Sequence, residues 1–191
     1  MLEIGLNEEI RIASVDLDPM RFPNADTVQQ MSQLGRLNVP NNCGDHDGDG
    51  DLDYICGVGA RSFSIWTTDL ELVWDSGHEL SQFSTHNGQH LIDEMNSRDD
   101  NKGIEPEGVK VGEVNDRTYL FLSMERSFGV MIYDITDPTS PQFQQWIQVE
   151  GSSNPEDMEF IPASSSPNGV PLLVVANEDS GTVGIWALES L

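Results

Sequence analysis

The 191-residue chain is poor in cations: nine Lys and Arg stand against 33 Asp and Glu, giving a formal net charge of −24. Nucleic acid is bound by neutralising its phosphates with Lys and Arg, so this balance argues against DNA or RNA as a partner. It argues equally against an anionic membrane surface, and it favours bound cations, a saline medium, or both. No apolar run approaches membrane-spanning length, and no signal peptide precedes the first strand. Two cysteines alone do not form zinc-ligand spacing. The chain also lacks a nucleophile elbow, Ser-His-Asp spacing and a phosphate-cradling glycine loop, which argues against the common hydrolytic and nucleotide-binding chemistries.

What the chain does have is concentrated between Cys43 and Trp66. Asp45, Asp47, Asp49, Asp51 and Asp53 alternate there, with Gly48 and Gly50 between them. Five carboxylates so crowded repel one another unless a cation sits among them. Hard oxygen ligands suit Ca2+, which takes six to eight of them; Mg2+ fits less well, because it demands tight octahedral geometry and keeps its waters. Asp45, Asp47 and Asp49 occupy positions 1, 3 and 5 of such a loop, Gly50 permits the turn, and Asp51 offers its backbone carbonyl. An EF-hand needs Glu at position 12, where this chain has Cys56, so Asp53 is expected to close the ligand set instead. The alternative is a solvated acidic turn that binds nothing. His46 reads as exposed filler. Cys43 and Cys56 bracket the loop, either as a disulfide in an oxidising compartment or as two half-buried thiols.

Frequent Gly and Pro, with aromatics in short β-branched runs, predict an all-β chain. The opening to Asp18 predicts one edge strand, and a short helix follows, with Asn24 as cap, Val28, Met31 and Leu34 on one face, and Gly35 as its end. Arg36 to Pro40 predicts a strand leading into the acidic loop. The chain then repeats itself. Asp-Tyr-Ile-Cys-Gly-Val-Gly precedes Arg61-Ser-Phe-Ser-Ile-Trp66, Thr-Tyr-Leu-Phe-Leu-Ser-Met-Glu precedes Arg126-Ser-Phe-Gly-Val-Met-Ile-Tyr133, and Leu-Leu-Val-Val-Ala-Asn-Glu precedes Asp179-Ser-Gly-Thr-Val-Gly-Ile-Trp186. Continuous apolar runs suit inner strands buried on both faces, and alternating ones suit strands nearer a rim.

With flanking strands at Leu70 to Trp74, Gly108 to Val114, Phe143 to Val149 and Met158 to Pro162, the pattern predicts about three four-stranded antiparallel β-propeller blades, at 36–75, 106–149 and 155–189. They form one partial propeller domain over 1–191, part of a larger or assembled ring, since three blades do not close one. Open blade edges invite pairing with a missing half or with copies of the chain. The connection 76–104 is long and polar; it carries His78, His86, His90, Asp93, Glu94 and Ser97-Arg98-Asp99-Asp100. His86-Asn-Gly-Gln-His90 lies on no recognisable helix, which argues against its histidines as metal ligands.

Leu34-Gly-Arg-Leu-Asn-Val, the aspartate loop, Gly59-Ala-Arg-Ser-Phe-Ser-Ile-Trp, Lys102-Gly-Ile-Glu-Pro-Glu-Gly-Val and Phe128-Gly-Val-Met-Ile-Tyr-Asp-Ile-Thr-Asp-Pro together resemble the choice-of-anchor I domain. That family is related to mesenchyme-specific cell-surface glycoproteins associated with biomineral deposition. The resemblance covers nearly the whole chain but only the family's C-terminal part. It implies a secreted or surface-anchored propeller, distantly similar to PhoX-type phosphatase and phytase-like propellers. The third blade departs from the pattern, with Pro155-Glu156-Asp157 where a second Pro-Glu-Gly is expected.

Glu107 and Glu156 precede innermost strands, and Glu125 and Glu178 end apolar runs, so in a propeller the four converge on the axis beside Arg126 and Asn177. Converging carboxylates bind a divalent cation or raise one another's pKa. The alternative is a set of surface glutamates paired with Arg61, Arg98 and Arg126. The reading reached is a calcium-binding extracellular propeller segment with a structural, adhesive or assembly role. The competing one is a metal-dependent phosphoester hydrolase using Glu107, Glu125, Glu156 and Glu178. Binding of mineral or cationic surfaces through the acidic exterior is a third.

Overall fold

A computed structural model describes residues 9–57, 61–86, 104–148, 154–189 and 191. They fall into two compact units that part between Gly57 and Arg61. The Gly59-Ala60 part of the first repeat, and His90, Asp93, Glu94, Arg98, Asp99, Asp100 and Lys102 of the long connection, lie outside the described residues.

In the first unit β1 (Glu9–Arg11) pairs antiparallel with β2 (Asn38–Pro40). Val39 of β2 and Ile12, which follows β1, are fully buried. The Gln29 side-chain amide donates to the carbonyls of Ile12 (2.9 Å) and Val15 (2.6 Å), holding the next segment. The expected helix is present but stops after one turn, α1 (Ala25–Val28). Met31 and Leu34, on its predicted apolar face, are exposed, and an isolated helix without a buried face does not propagate. Leu17 and Leu52 form a short parallel bridge and are both buried.

Residues 53–57, expected to begin an inner strand, do not form one. The amides of Asp53 and Tyr54 both donate to the Gly44 carbonyl (2.9 and 3.3 Å), and Cys56 is joined to Cys43 by a disulfide. The segment folds back on the loop, and its backbone donors are taken before a sheet can use them.

Among the described residues the second unit holds three antiparallel sheets. A hairpin joins β3 (Ser64–Trp66) to β4 (Leu72–Asp75). A four-stranded meander follows in the order β5 (Pro106–Val114), β6 (Arg117–Met124), β7 (Gly129–Asp134), β8 (Gln142–Ile147). The third sheet places β10 (Leu172–Asn177) between β9 (Pro155–Ile161) and β11 (Thr182–Ala187). The chain is thus mostly β-sheet with few helices. The meander has a blade's strand order, and the described residues form no closed sheet.

The apolar run of β6 is explained by two cores. Tyr119 and Phe121 on one face pack with Val130, Ile132, Met158, Leu173 and Val175. Leu120, Leu122 and Met124 on the other pack with Met131, Tyr133, Phe63 and Leu80. β7, expected to alternate, is buried along its whole length, because both cores also cover it and β8 lies beyond it. A second helix, α2 (Glu79–His86), opens the connection expected to be polar coil. Leu80 is fully buried, and Phe83, one turn on, packs tilted against Phe143 (ring centroids 4.4 Å), so an i, i+3 apolar pair anchors it.

The meander's far end is fixed by a buried charge. Asp134 pairs with Arg117 and accepts from the Thr136 amide (2.9 Å). Burial opposes its ionisation, but the Thr136 and Arg117 interactions outweigh this and lower its pKa. A lowered carboxyl pKa contributes stability above the unfolded value of 3.8 that is lost as pH falls below it. Asp134→Asn is therefore expected to cost about 1–2 kcal/mol at neutral pH. Urea melts at several pH values below 3.8 should show the gap between variant and wild type closing.

Candidate metal centre

Carboxylate oxygens of Asp45, Asp47 and Asp49 lie within 4.8 Å of one another. Backbone turning makes this possible, since Gly44, Gly48 and Gly50 adopt φ of 114°, 80° and 103°, a region that side-chain-bearing residues avoid. Asp45 organises the curl: one oxygen accepts from the Gly48 amide (2.6 Å) and the other from Gly50 (3.1 Å). Asp47 accepts from Asp49 N (3.3 Å) and Asp49 from Asp51 N (3.2 Å). Asp53 reaches back across the loop to the His46 amide (2.8 Å), closing it as a strap rather than as a member of the three-carboxylate group. His46 is exposed, as expected. The Asp51 carboxyl is raised above its ordinary pKa by desolvation and by the charges of Asp49, Asp18 and Asp53. The donor set is all hard oxygen, and it fits a calcium-sized ion in chemistry and spacing.

In the second unit, Glu107, Glu125 and Glu156 also bring carboxylate oxygens within 4.8 Å of one another. Two β-bulges position the outer pair. Pro106 and Val109 of β5 face Met124 and Leu122 of β6, which leaves Glu107 and Gly108 opposite Ser123. Pro155 and Asp157 of β9 face Asn177 and Ala176 of β10, which leaves Glu156 without a partner in the ladder. Bulges re-aim side chains in this way. Gly108 allows close approach: a Cβ there would lie 2.8 Å from Ser123 Oγ and 3.4 Å from the Glu156 carbonyl.

Glu125 is 4% exposed. It pairs with Arg126 (2.8 Å), which also binds Glu105 (2.9 Å). Burial, a hydrogen bond with Glu105 and the charges of Glu105 and Glu107 raise its pKa well above the carboxylate range, against the pull of Arg126. Glu178 is exposed and stands outside this group. Its amide donates to Asn154 O (2.8 Å) as the Glu125 amide donates to Glu105 O (3.0 Å), so it is the counterpart of Glu125 one repeat on. Asn177, expected at the cluster, directs its amide to Thr182.

A family model for the choice-of-anchor I domain matches residues 6–138. The chain belongs to that family. The match spans the aspartate loop, Glu107 and Glu125. Among curated proteins, Gigasin-3a of Magallana gigas is similar to this choice-of-anchor I chain, 27% identical over 194 residues, covering 86% of the chain and 68% of the relative. No solved structure matches.

Two residues beside the glutamates escape the sequence reading: Glu105 and Asn154. Both precede the repeated Pro-Glu pair, and both have positive φ, 43° and 57°. The shared Xaa-Pro-Glu spacing was the available signal; the identity of Xaa differs, and the two residues become equivalent only through the matching backbone hydrogen bonds.

Proposed function

We infer that this choice-of-anchor I chain is an extracellular calcium-binding module with a structural, adhesive or assembly role. The observation that carries the reading is the convergence of Asp45, Asp47 and Asp49 in a glycine-turned loop strapped by Asp53. Ca2+ bound there neutralises the crowded carboxylates and fixes the loop. The Cys43–Cys56 disulfide supports an oxidising, extracellular setting. No helix among the described residues is long and apolar enough to cross a membrane. Exposed Val183 and Ile185 on β11, which bears no further strand on its outer side among the described residues, support assembly as propeller blades with a further blade or a second copy. The acidic exterior supports contact with mineral or cationic surfaces. Calorimetric titration with Ca2+ tests the reading: saturable binding lost in Asp47→Ala supports it, and no uptake at millimolar Ca2+ overturns it.

The second reading is metal-dependent phosphoester hydrolysis, and it draws on the Glu107, Glu125 and Glu156 group. Its weakness is that Arg126, the cation beside the group, is already engaged by Glu105 and Glu125. Turnover of a generic phosphomonoester with Ca2+ or Mn2+, abolished by Glu107→Gln, is the result this reading expects.

A further inference from the structure

Asn154 is a buried asparagine beside the glutamate group. It is 1% exposed, at a positive φ, and its side-chain oxygen has no hydrogen-bond partner among the described residues. Its side-chain nitrogen faces Glu125 Oε1 at 3.4 Å. A buried amide oxygen without a partner costs free energy, and proteins keep few of them. Here the oxygen sits on the same carboxamide that abuts the glutamate group. Amide oxygens are, with carboxylates, the donors that hard divalent cations accept.

We propose that Glu107, Glu125, Glu156 and the Asn154 side-chain oxygen form a second site for a hard divalent cation, shared between two successive repeats. Glu107 and Glu125 come from the second repeat, Asn154 and Glu156 from the third. The three carboxylates converge within 4.8 Å, which suits oxygens on one calcium-sized ion. Arg126 offsets part of the charge by binding Glu105 and one oxygen of Glu125, leaving excess negative charge for an ion. An ion there ties β5 to β9 beyond the Lys110 contacts with Asp157 (3.8 Å) and Glu159 (3.4 Å) that already bridge them. The repeat itself explains the single site. The structural counterpart of Asn154 is Glu105, whose carboxylate is bound by Arg126, so the same position gives an ion pair in one repeat and a neutral oxygen donor in the next.

The site shares no residue with the aspartate loop, and its test does not depend on the loop. Ca2+ binding to the full chain is counted by equilibrium dialysis for wild type, Asp47→Ala and Glu156→Gln. Glu156 is exposed, so Glu156→Gln is expected to keep the wild-type fold by circular dichroism and to bind one ion fewer than wild type. Asp47→Ala retains that ion whether or not the loop binds one of its own. Asn154→Asp supplies a charged oxygen in place of the amide and is expected to tighten the remaining site of Asp47→Ala by at least about tenfold. Equal stoichiometry in wild type and Glu156→Gln overturns the proposal. So does the absence of any bound ion in Asp47→Ala, which would leave the loop reading standing.

Discussion

Chelation of calcium is expected to lower the first unit's melting temperature by on the order of 10 °C. A ligand present at 100-fold its dissociation constant stabilises the native state by about 2.7 kcal/mol, and a unit of this size shifts several degrees per kcal/mol. Asp47→Ala should remove the response. It is the informative substitution because Asp47 does little for the loop without an ion: its one described hydrogen bond, from Asp49 N, is long at 3.3 Å. Asp45 is different, since it holds Gly48 and Gly50 in place whether or not a cation is present, and Asp45→Ala would damage both states. In chelator, therefore, Asp47→Ala should melt at or above wild type, because one of five crowded charges is gone. In calcium the order should reverse. Scanning calorimetry of both proteins in both buffers gives the four numbers. A wild type indifferent to chelator would remove calcium from the account of this loop.

Much of the second unit follows from the alternation and length of its apolar runs. Leu120, Phe121 and Leu122 are consecutive, and only a strand covered on both faces buries all three, as β6 is. The segments flanking each run also sit where spacing puts them, from β5 ahead of β6 to β8 after β7. The failures have one physical source, which is competition for backbone groups and apolar faces that a linear pattern does not display. Residues 53–57 look like a strand because Tyr54 and Ile55 are β-formers, yet the Gly44 carbonyl takes the amides of Asp53 and Tyr54. α2 is hidden in a polar sequence because its apolar anchors among the described residues are two side chains three apart, Leu80 and Phe83. Of the nine acidic residues singled out, three of the five aspartates, Asp45, Asp47 and Asp49, bring their carboxylates together, and so do three of the four glutamates. Glu178 does not, because equivalence along a repeat is not the same as convergence: its counterpart Glu125 meets Glu156 of the following repeat, whereas Glu178 has no such partner group among the described residues.

An ion held by the aspartates would act on the same loop as the disulfide, so their contributions should not add. Cys43 and Cys56 are separated by 13 positions, and closing a loop of about that length stabilises by about 3 kcal/mol in the chain-entropy account. Cys43→Ser/Cys56→Ser, which leaves no lone thiol, should lose about that much in chelator. With calcium present the comparison changes. The bridge holds the two ends of the loop together, Asp53 and Tyr54 hydrogen-bond to Gly44 just inside it, and the aspartates are thereby gathered before any ion arrives. Without the bridge part of the binding free energy goes into gathering them, and calcium affinity should fall by roughly tenfold, or about 1.4 kcal/mol. Urea melts of wild type and double variant, each with and without calcium, form a thermodynamic cycle whose coupling term measures this directly. Hydrogen exchange at the Asp53 and Tyr54 amides locates it: protection there should fall more in the variant with calcium removed than either change alone produces. A coupling of zero would mean that the bridge staples the chain without shaping the aspartate cage, and the two cysteines would then serve stability alone.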